Sequence, residues 1–185
     1  MPIGLAEVGQ RACDIEARRV LANRRSSVFP VPTRAALYAS NYKEASHVNR
    51  QISGLKISKQ TWNIMPKIRE LDELLRGDEL ARFKIAEIHP EVLFWGLTGQ
   101  PMMESKKTDA GYEERVKVLQ ALNPNVERMI NDAMREYPRK EVARDDIVDA
   151  MVAAITAKIG DFASLPARPP HDGHGLPMQV LYAYG

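Results

Sequence analysis

The chain has 185 residues, enough for one domain with a sizeable core. Hydrophobic residues make up 44% and charged residues 27%, a globular composition that excludes wholesale disorder. The formal net charge of +2 is too small to indicate nucleic-acid binding by itself.

The first half of the chain has the periodicity of helices. Apolar residues recur at steps of three and four from Leu5 to Ile15 and again from Tyr38 to Ile52, so both stretches predict amphipathic helices. Gly54 suits the end of the second helix, and Ser58 suits the cap of the next one. Pro66 favours the first position of a further helix.

The pattern changes at Phe83. The segment Phe83–His89 is short, is followed by Pro90, and predicts a strand. A second strand is predicted at Met178–Tyr184. Three helices are predicted between these strands, over Tyr112–Leu122, Val126–Met134 and Val142–Gly160.

The cysteine count and the lengths of the apolar runs indicate the cellular compartment. Cys13 is the single cysteine, so no intrachain disulfide forms and a reducing cytosol is the simplest setting. No apolar run approaches the roughly 20 residues of a membrane span. The first ten residues lack the basic start of a signal peptide. We therefore expect a cytoplasmic protein without membrane contact.

The first acidic group lies around His89. On a strand, alternate side chains face one side, so Glu87 and His89 would project together. In α/β sheets that end of a strand binds ligands. An exposed edge strand, with Glu91 favouring a helix N-terminus, explains the same pattern and is the more common outcome.

The second acidic group comprises Asp145, Asp146 and Asp149. Their spacings of three and four make Asp149 a helix neighbour of both others. Asp145 and Asp149 lie along one edge of the apolar stripe, where side chains can reach a site. Either Asp145 or Asp146 also suits a helix cap, whereas Asp149 lies too deep in the helix to act as one.

Two cationic runs suit phosphate binding. Lys106 and Lys107 follow Ser105 in a polar loop, and Arg25 lies in a second basic run. Each run alone is more often a solvated surface. The His171–Gly175 segment is too weak in ligand spacing to indicate a metal loop, and Cys13 suits inert core better than a nucleophile.

These segments, taken in order, resemble a bacterial family labelled domain of unknown function 429, which is regarded as a predicted ribonuclease H-like nuclease. The resemblance covers nearly the whole chain. Its strings include Pro2-Ile3-Gly4-Leu5, Arg11-Ala12-Cys13-Asp14, Arg24 to Pro30, Pro66 to Asp72, Glu87 to Glu91, Ser105 to Thr108, Asp145 to Ala150, and Gly175 to Met178.

The resemblance implies an α/β, helix-rich fold of the ribonuclease H-like type, with one domain over residues 1–185. It also implies metal-dependent phosphodiester hydrolysis with Mg²⁺ or Mn²⁺ and nucleic acid as the partner. The implied catalytic residues are Glu87, Glu91, Asp146 and Asp149. Of these, Glu87, Asp146 and Asp149 would hold the metal, and Lys106, Lys107 and Arg25 would contact phosphate.

The sequence departs from the family at its start. Members usually begin with a glycine-rich β-hairpin that carries an early Asp, and this chain starts beyond that point. The resemblance therefore implies missing leading strands, weak metal binding, and exposed apolar surface that promotes self-association. Two further hypotheses stay open: a non-catalytic helical interaction protein that keeps the scaffold, and an enzyme acting on a small phosphorylated molecule.

Overall fold

The structure, a computed structural model, describes residues 1–185. It confirms a helix-rich chain, because nine α-helices and one 3₁₀ helix together hold 58% of the residues. The helices are α1 (Ala12–Leu21), α2 (Arg34–Leu37), α3 (Tyr42–Ser53), α4 (Lys59–Gly77), α5 (Glu79–Lys84), α6 (Pro90–Thr98), α7 (Asp109–Leu122), α8 (Val126–Glu136) and α9 (Arg144–Ile159). A 3₁₀ helix, Ala22–Ser27, follows α1.

The predicted ribonuclease H-like α/β fold is wrong. The only sheet has two short antiparallel strands, β1 (Ala163–Leu165) and β2 (Val180–Tyr182). Such a fold needs a mixed sheet with helices packed on it. Strand β2 lies within the predicted Met178–Tyr184, so that strand is confirmed.

No strand forms at the predicted Phe83–His89. Phe83 and Lys84 belong to α5, because the Asp78 carboxylate caps that helix by accepting from two backbone N–H groups. The backbone is extended at Ile85, and the Leu181 N–H donates to the Glu87 carbonyl at 2.9 Å. One such bond does not make a strand.

The chain forms two compact units. The prediction of a single domain over residues 1–185 stays a prediction. Unit 1 comprises Met1–Arg19, Arg25–Glu87 and Ser164–Leu181, and unit 2 comprises Val20–Arg24, Ile88–Ala163 and Tyr182–Gly185.

Unit 1 is organised around the long helix α4. The Ser58 hydroxyl accepts from the Thr61 N–H at 2.9 Å and caps it, as predicted. Pro66 lies inside this helix rather than at the start of another, so two predicted helices are one. The buried core contacting α4 comprises Leu5, Leu37, Ala45, Ile57, Met65 and Ile68.

Unit 2 is a set of four helices in which α9 packs against α6, α7 and α8. The predicted limits of α9, Val142–Gly160, are nearly those observed, and Gly160 ends the helix with a φ of 75°. The buried stripe includes Ile147, whereas Ile159 is 40% exposed. No helix in the chain combines the length and the apolar character that crossing a bilayer requires.

Candidate functional site

A tight turn between α6 and α7, in unit 2, carries Lys106 and Lys107. The Thr108 N–H donates to the Ser105 carbonyl at 2.9 Å, which makes Lys106 and Lys107 the two central residues. The Thr108 hydroxyl also accepts from the Gly111 N–H at 3.1 Å and caps α7. The turn is therefore fixed to the first turn of a helix, and the lysines project from a defined position.

Gly111 allows this turn to lie against α7. A Cβ at this position would overlap the Ser105 carbonyl, which is backbone and has no rotamer with which to move away. The absence of a side chain thus sets where the Lys106 backbone lies.

The two lysines pair with two aspartates of α9. Lys106 Nζ lies 2.6 Å from Asp149 Oδ2 and 3.2 Å from Asp145 Oδ2. Lys107 Nζ lies 2.7 and 2.9 Å from the two oxygens of Asp145. The Lys106 side chain is 30% exposed, so this cluster is open to solvent on one side.

Burial and neighbouring charges together shift the pKa values of these groups in different directions. Burial is the largest influence on Asp149 and raises its pKa against Lys106, which lowers it, and the weaker effects of the Asp145 and Glu91 charges also raise it. For Asp145 burial also acts upward, but the two lysines together overcome it and lower the pKa. Burial opposes the charge on Lys106, yet its two carboxylate partners raise its pKa overall.

Asp146 has a different role from its two neighbours. Its side chain accepts from the Ala143 N–H at 3.2 Å, which caps the start of α9. It is exposed to solvent. One of the two helix-cap candidates named from the sequence is therefore a cap in the structure.

Glu91 lies in the same unit, in the first turn of α6, and is buried. Arg115 of α7 donates to both of its carboxylate oxygens, at 2.7 and 2.9 Å. The same guanidinium donates to the carbonyls of Glu104 and Gly111. Arg115 thus joins α6, the loop before the lysine turn, and the start of α7.

A surface pocket of about 500 Å³ adjoins the lysine turn. Its charged lining residues are Lys106, Lys107, Arg139, Arg144, Asp109 and Asp145. Arg144 is oriented by Asp109, 2.7 Å away, and lies over the Tyr112 ring. Four cations against two carboxylates favour an anionic ligand.

The three aspartates offer a donor set suited to a hard divalent cation. One carboxylate oxygen from each of Asp145, Asp146 and Asp149 lies within 4.8 Å of the others. Two of these carboxylates already hold lysine ammonium groups. The residues fit Mg²⁺ or Mn²⁺ chemically, but a bound ion would compete with Lys106 for the same oxygens.

Glu87 belongs to unit 1 and is buried in other contacts. Its carboxylate accepts from the Ile3 N–H at 2.7 Å and from the Arg11 guanidinium. Burial is the largest influence on Glu87 and raises its pKa, against Arg11, which lowers it. Asp14 lies 3.8 Å from the same arginine. A catalytic or metal-binding role for Glu87 stays a prediction.

The remaining candidates are also in unit 1. Arg25 is exposed on the 3₁₀ helix, and its phosphate contact stays a prediction. Cys13 is fully buried as predicted, and burial raises the pKa of its thiol to about 12. In the His171–Gly175 segment, Asp172 accepts from the backbone of Leu5, His174 and Leu176 and from Arg34.

Sequence reasoning missed Arg115 and the pocket arginines. A signal for Arg115 was present, because it lies one helical turn after Gly111 and one before Leu119 on the buried stripe of α7. A charged residue on an apolar stripe indicates a buried partner. Arg139 and Arg144 gave no comparable pattern.

The chain matches the family model described as Protein of unknown function (DUF429) over residues 1–171. That match spans most of the chain. The chain belongs to this family. No curated protein and no solved structure matches it. Family membership therefore agrees with the resemblance stated from the sequence motifs, and it assigns no reaction.

Proposed function

We propose that this DUF429 chain is a metal-assisted phosphodiester hydrolase with its site on unit 2. The observation that carries the proposal is the contact between Lys106 and Asp149 beside a pocket lined by four cations. A buried Cys13 thiol suits a reducing cytosol, where we place the activity.

The cationic pocket would bind the substrate phosphate. A phosphodiester carries one negative charge, which Lys107, Arg139 and Arg144 can offset without any rearrangement of the backbone. Arg139 is exposed and makes no ion pair within the chain, so its guanidinium is available. Bidentate geometry suits it to two phosphate oxygens.

Asp149 is the candidate general base. Its pKa is raised in the ion-free protein, and with an ion bound the carboxylate oxygen that the ion leaves free would accept the proton. The Lys106 ammonium, 2.6 Å away, can donate to the phosphate oxygen on which charge develops. Both groups would act in one open cluster, which a water molecule can enter.

Mg²⁺ or Mn²⁺ would be held by Asp146 and Asp149, with Asp145 as a further oxygen ligand. When bound, the ion lowers the pKa of its water and offsets phosphate charge. Competition from Lys106 makes millimolar affinity the expected result.

Hydrolysis of a fluorescently labelled single-stranded oligonucleotide in Mn²⁺ tests the activity. Asp149→Asn should reduce the rate by roughly 10²–10⁴-fold, the range for loss of a general base. Asp132→Asn is the matched control, since Asp132 is an exposed acid of unit 2 whose one partner is Arg135. Equal rates in the two variants, or no hydrolysis above the protein-free rate, would reject the proposal.

Calorimetric titration with Mn²⁺ tests the ion separately from catalysis. Asp149→Asn should weaken binding, and Lys106→Met should strengthen it by roughly tenfold, because the competing ammonium is removed. Identical isotherms for wild type and both variants would show that these residues hold no ion.

A second candidate function, a non-catalytic interaction protein, is favoured by apolar exposure at the end of α4 and on α5. Phe83 is 89% and Leu80 is 70% exposed, and they lie three residues apart on one helix face. Leu74 and Ile85 are also exposed. We propose a second copy of the chain as the partner of this face.

Sedimentation at micromolar concentration distinguishes this candidate. Wild type should self-associate, and Phe83→Ser should shift it towards monomer. Val8→Ser is the control, because Val8 is equally exposed elsewhere in unit 1. A monomeric wild type, or equal dissociation in both variants, would reject the self-association.

A further inference from the structure

Unit 1 carries an open pocket of about 500 Å³ that the hydrolase proposal does not use. Tyr38, at the end of α2, and Trp62, on α4, contribute aromatic rings to its wall. Arg69 contributes the one ionised side chain, and Ser40 and Asn63 add polar groups. The lining therefore combines flat apolar surface, one positive charge and neutral hydrogen-bonding groups.

Both rings are fixed in place by other contacts. Trp62 packs edge-on against Tyr42, with ring centroids 6.1 Å apart at 72°. The Tyr38 hydroxyl lies 3.3 Å from Asp72 Oδ2. Tyr38 nevertheless remains 43% exposed. Preformed and accessible aromatic faces of this kind bind planar rings by stacking.

Arg69 has more donors than the protein satisfies. Its Nη2 donates to the Leu37 carbonyl at 2.6 Å, which is the one hydrogen bond of a group with five N–H donors. Its Nε is buried without an acceptor. The guanidinium carbon lies 5.1 Å from the Tyr38 ring centroid. A ligand that stacks beside Tyr38 can supply an acceptor to this group.

We propose that this pocket binds a nucleobase. A base offers a flat face to Tyr38 and Trp62, a carbonyl or ring-nitrogen acceptor to Arg69, and a mixed donor and acceptor edge to the Asn63 amide. A plain hydrocarbon ring would leave Arg69 and Asn63 without partners, and an aliphatic phosphate would leave both rings uncovered. The site lies within unit 1 and does not depend on the hydrolase proposal.

Tryptophan fluorescence tests this site directly. The chain has two tryptophans, so a Trp95→Phe background reports on Trp62 alone. Uridine monophosphate should quench this emission saturably, whereas ribose 5-phosphate and p-cresol should not. Arg69→Met should weaken uridine monophosphate binding by at least about tenfold, as expected for a lost charged hydrogen bond.

Lys67→Met is the matched control, because Lys67 is an exposed cation on the same helix outside the pocket lining. If Arg69→Met fails to fold by circular dichroism, Asn63→Ala at an exposed position takes its place. Either pocket variant binding as tightly as Lys67→Met would overturn the proposal. So would no quenching at all, or equal quenching by ribose 5-phosphate or by p-cresol.

The same fluorescence titration with oligothymidylate distinguishes the two sources of the base. Binding much tighter than that of the mononucleotide indicates a single-stranded nucleic acid, and equal binding indicates a free nucleotide. Both results support a nucleobase site.

Discussion

The two units use charged side chains in different ways. In unit 1, Arg11 and Arg34 are arginines that bind carboxylates from distant parts of the sequence, and their partners Glu87, Asp72 and Asp172 are almost fully buried. In unit 2, Lys106 is an ammonium at the surface, paired with aspartates of a single helix. Buried guanidinium pairs fix where chain segments lie, whereas a half-exposed lysine cluster stays free to exchange partners with a ligand.

Unit 2 also contains one pair of the first kind, and its removal should have the largest effect. Arg115→Met removes both hydrogen bonds to the buried Glu91 carboxylate and leaves only the more distant Arg24, 3.7 Å away, so the free energy of unfolding should fall by about 3–5 kcal/mol. Urea denaturation measures this. Arg135→Met, at a side chain that is 80% exposed, should change stability by less than about 0.5 kcal/mol.

A second substitution, at Glu91, tests whether the ion pair rather than side-chain packing accounts for the loss of stability. Adding Glu91→Gln to Arg115→Met removes the stranded charge and should recover part of the loss. If the double variant is as unstable as the sum of the two single variants, the pair contributes no coupling and the comparison between the units fails.

A smaller effect is expected at Glu87. Glu87→Gln weakens the charged hydrogen bonds to Arg11 and to the Ile3 N–H, so the free energy of unfolding should fall by about 1.5–3 kcal/mol. The same variant tests the family-derived catalytic role, because its hydrolysis rate can be measured on folded protein. Unchanged stability with lost hydrolysis would assign Glu87 a catalytic rather than a structural role.

The smallest effect is expected at Lys106. Lys106→Met should cost about 0.5–1 kcal/mol at neutral pH, because solvent screens a partly exposed pair. The folded-state pKa of Lys106 is raised, so its contribution is fully present below 10.5 and is lost as the pH rises through the higher folded value. Wild type and variant should therefore converge in alkaline solution, as followed by thermal unfolding.

Added salt sharpens the same comparison. Salt should reduce the difference in the free energy of unfolding between wild type and Lys106→Met. The difference between wild type and Arg115→Met should stay nearly unchanged, since buried pairs are screened less. A salt-independent Lys106 effect would assign that lysine to the buried class.

Local patterns predicted the later helices well, but the Leu5–Ile15 helix was wrong before Ala12, where α1 begins, and the Tyr38–Ile52 stretch is helical only from Tyr42. The limits of α3, α4 and α9 follow from particular residues. Gly160 and Gly54 end their helices with positive φ, and Ser58 caps α4. Pro66 misled the prediction because a proline inside a long helix has the same sequence signature as one at a helix start. Phe83–His89 is β-prone, but its first residues complete α5 and strand formation needs partners that local sequence does not reveal.

The candidate site was predictable only in part. The chemistry of Lys106 and Asp149 could be named from motifs, but their contact joins a loop to a helix 43 positions away. Periodicity carries no information over that separation. The aromatic pocket escaped notice because Trp62 and Tyr38 suit core positions equally well, and the unsatisfied donors of Arg69 appear only in three dimensions.

The Asp172 carboxylate bears on where this family's boundary should be drawn. The family match ends at residue 171, yet Asp172 accepts from the Leu5 N–H at 3.0 Å and pairs with Arg34, both inside the match. Its pKa is lowered although burial, the largest single influence, acts against this, because three backbone donors and Arg34 outweigh it. A fragment cut after His171 would keep every matched position and lose the acceptor that anchors its own amino-terminal segment. The family match and the hydrogen bonds therefore indicate different ends for the smallest segment that folds. A fragment made for expression should include Asp172.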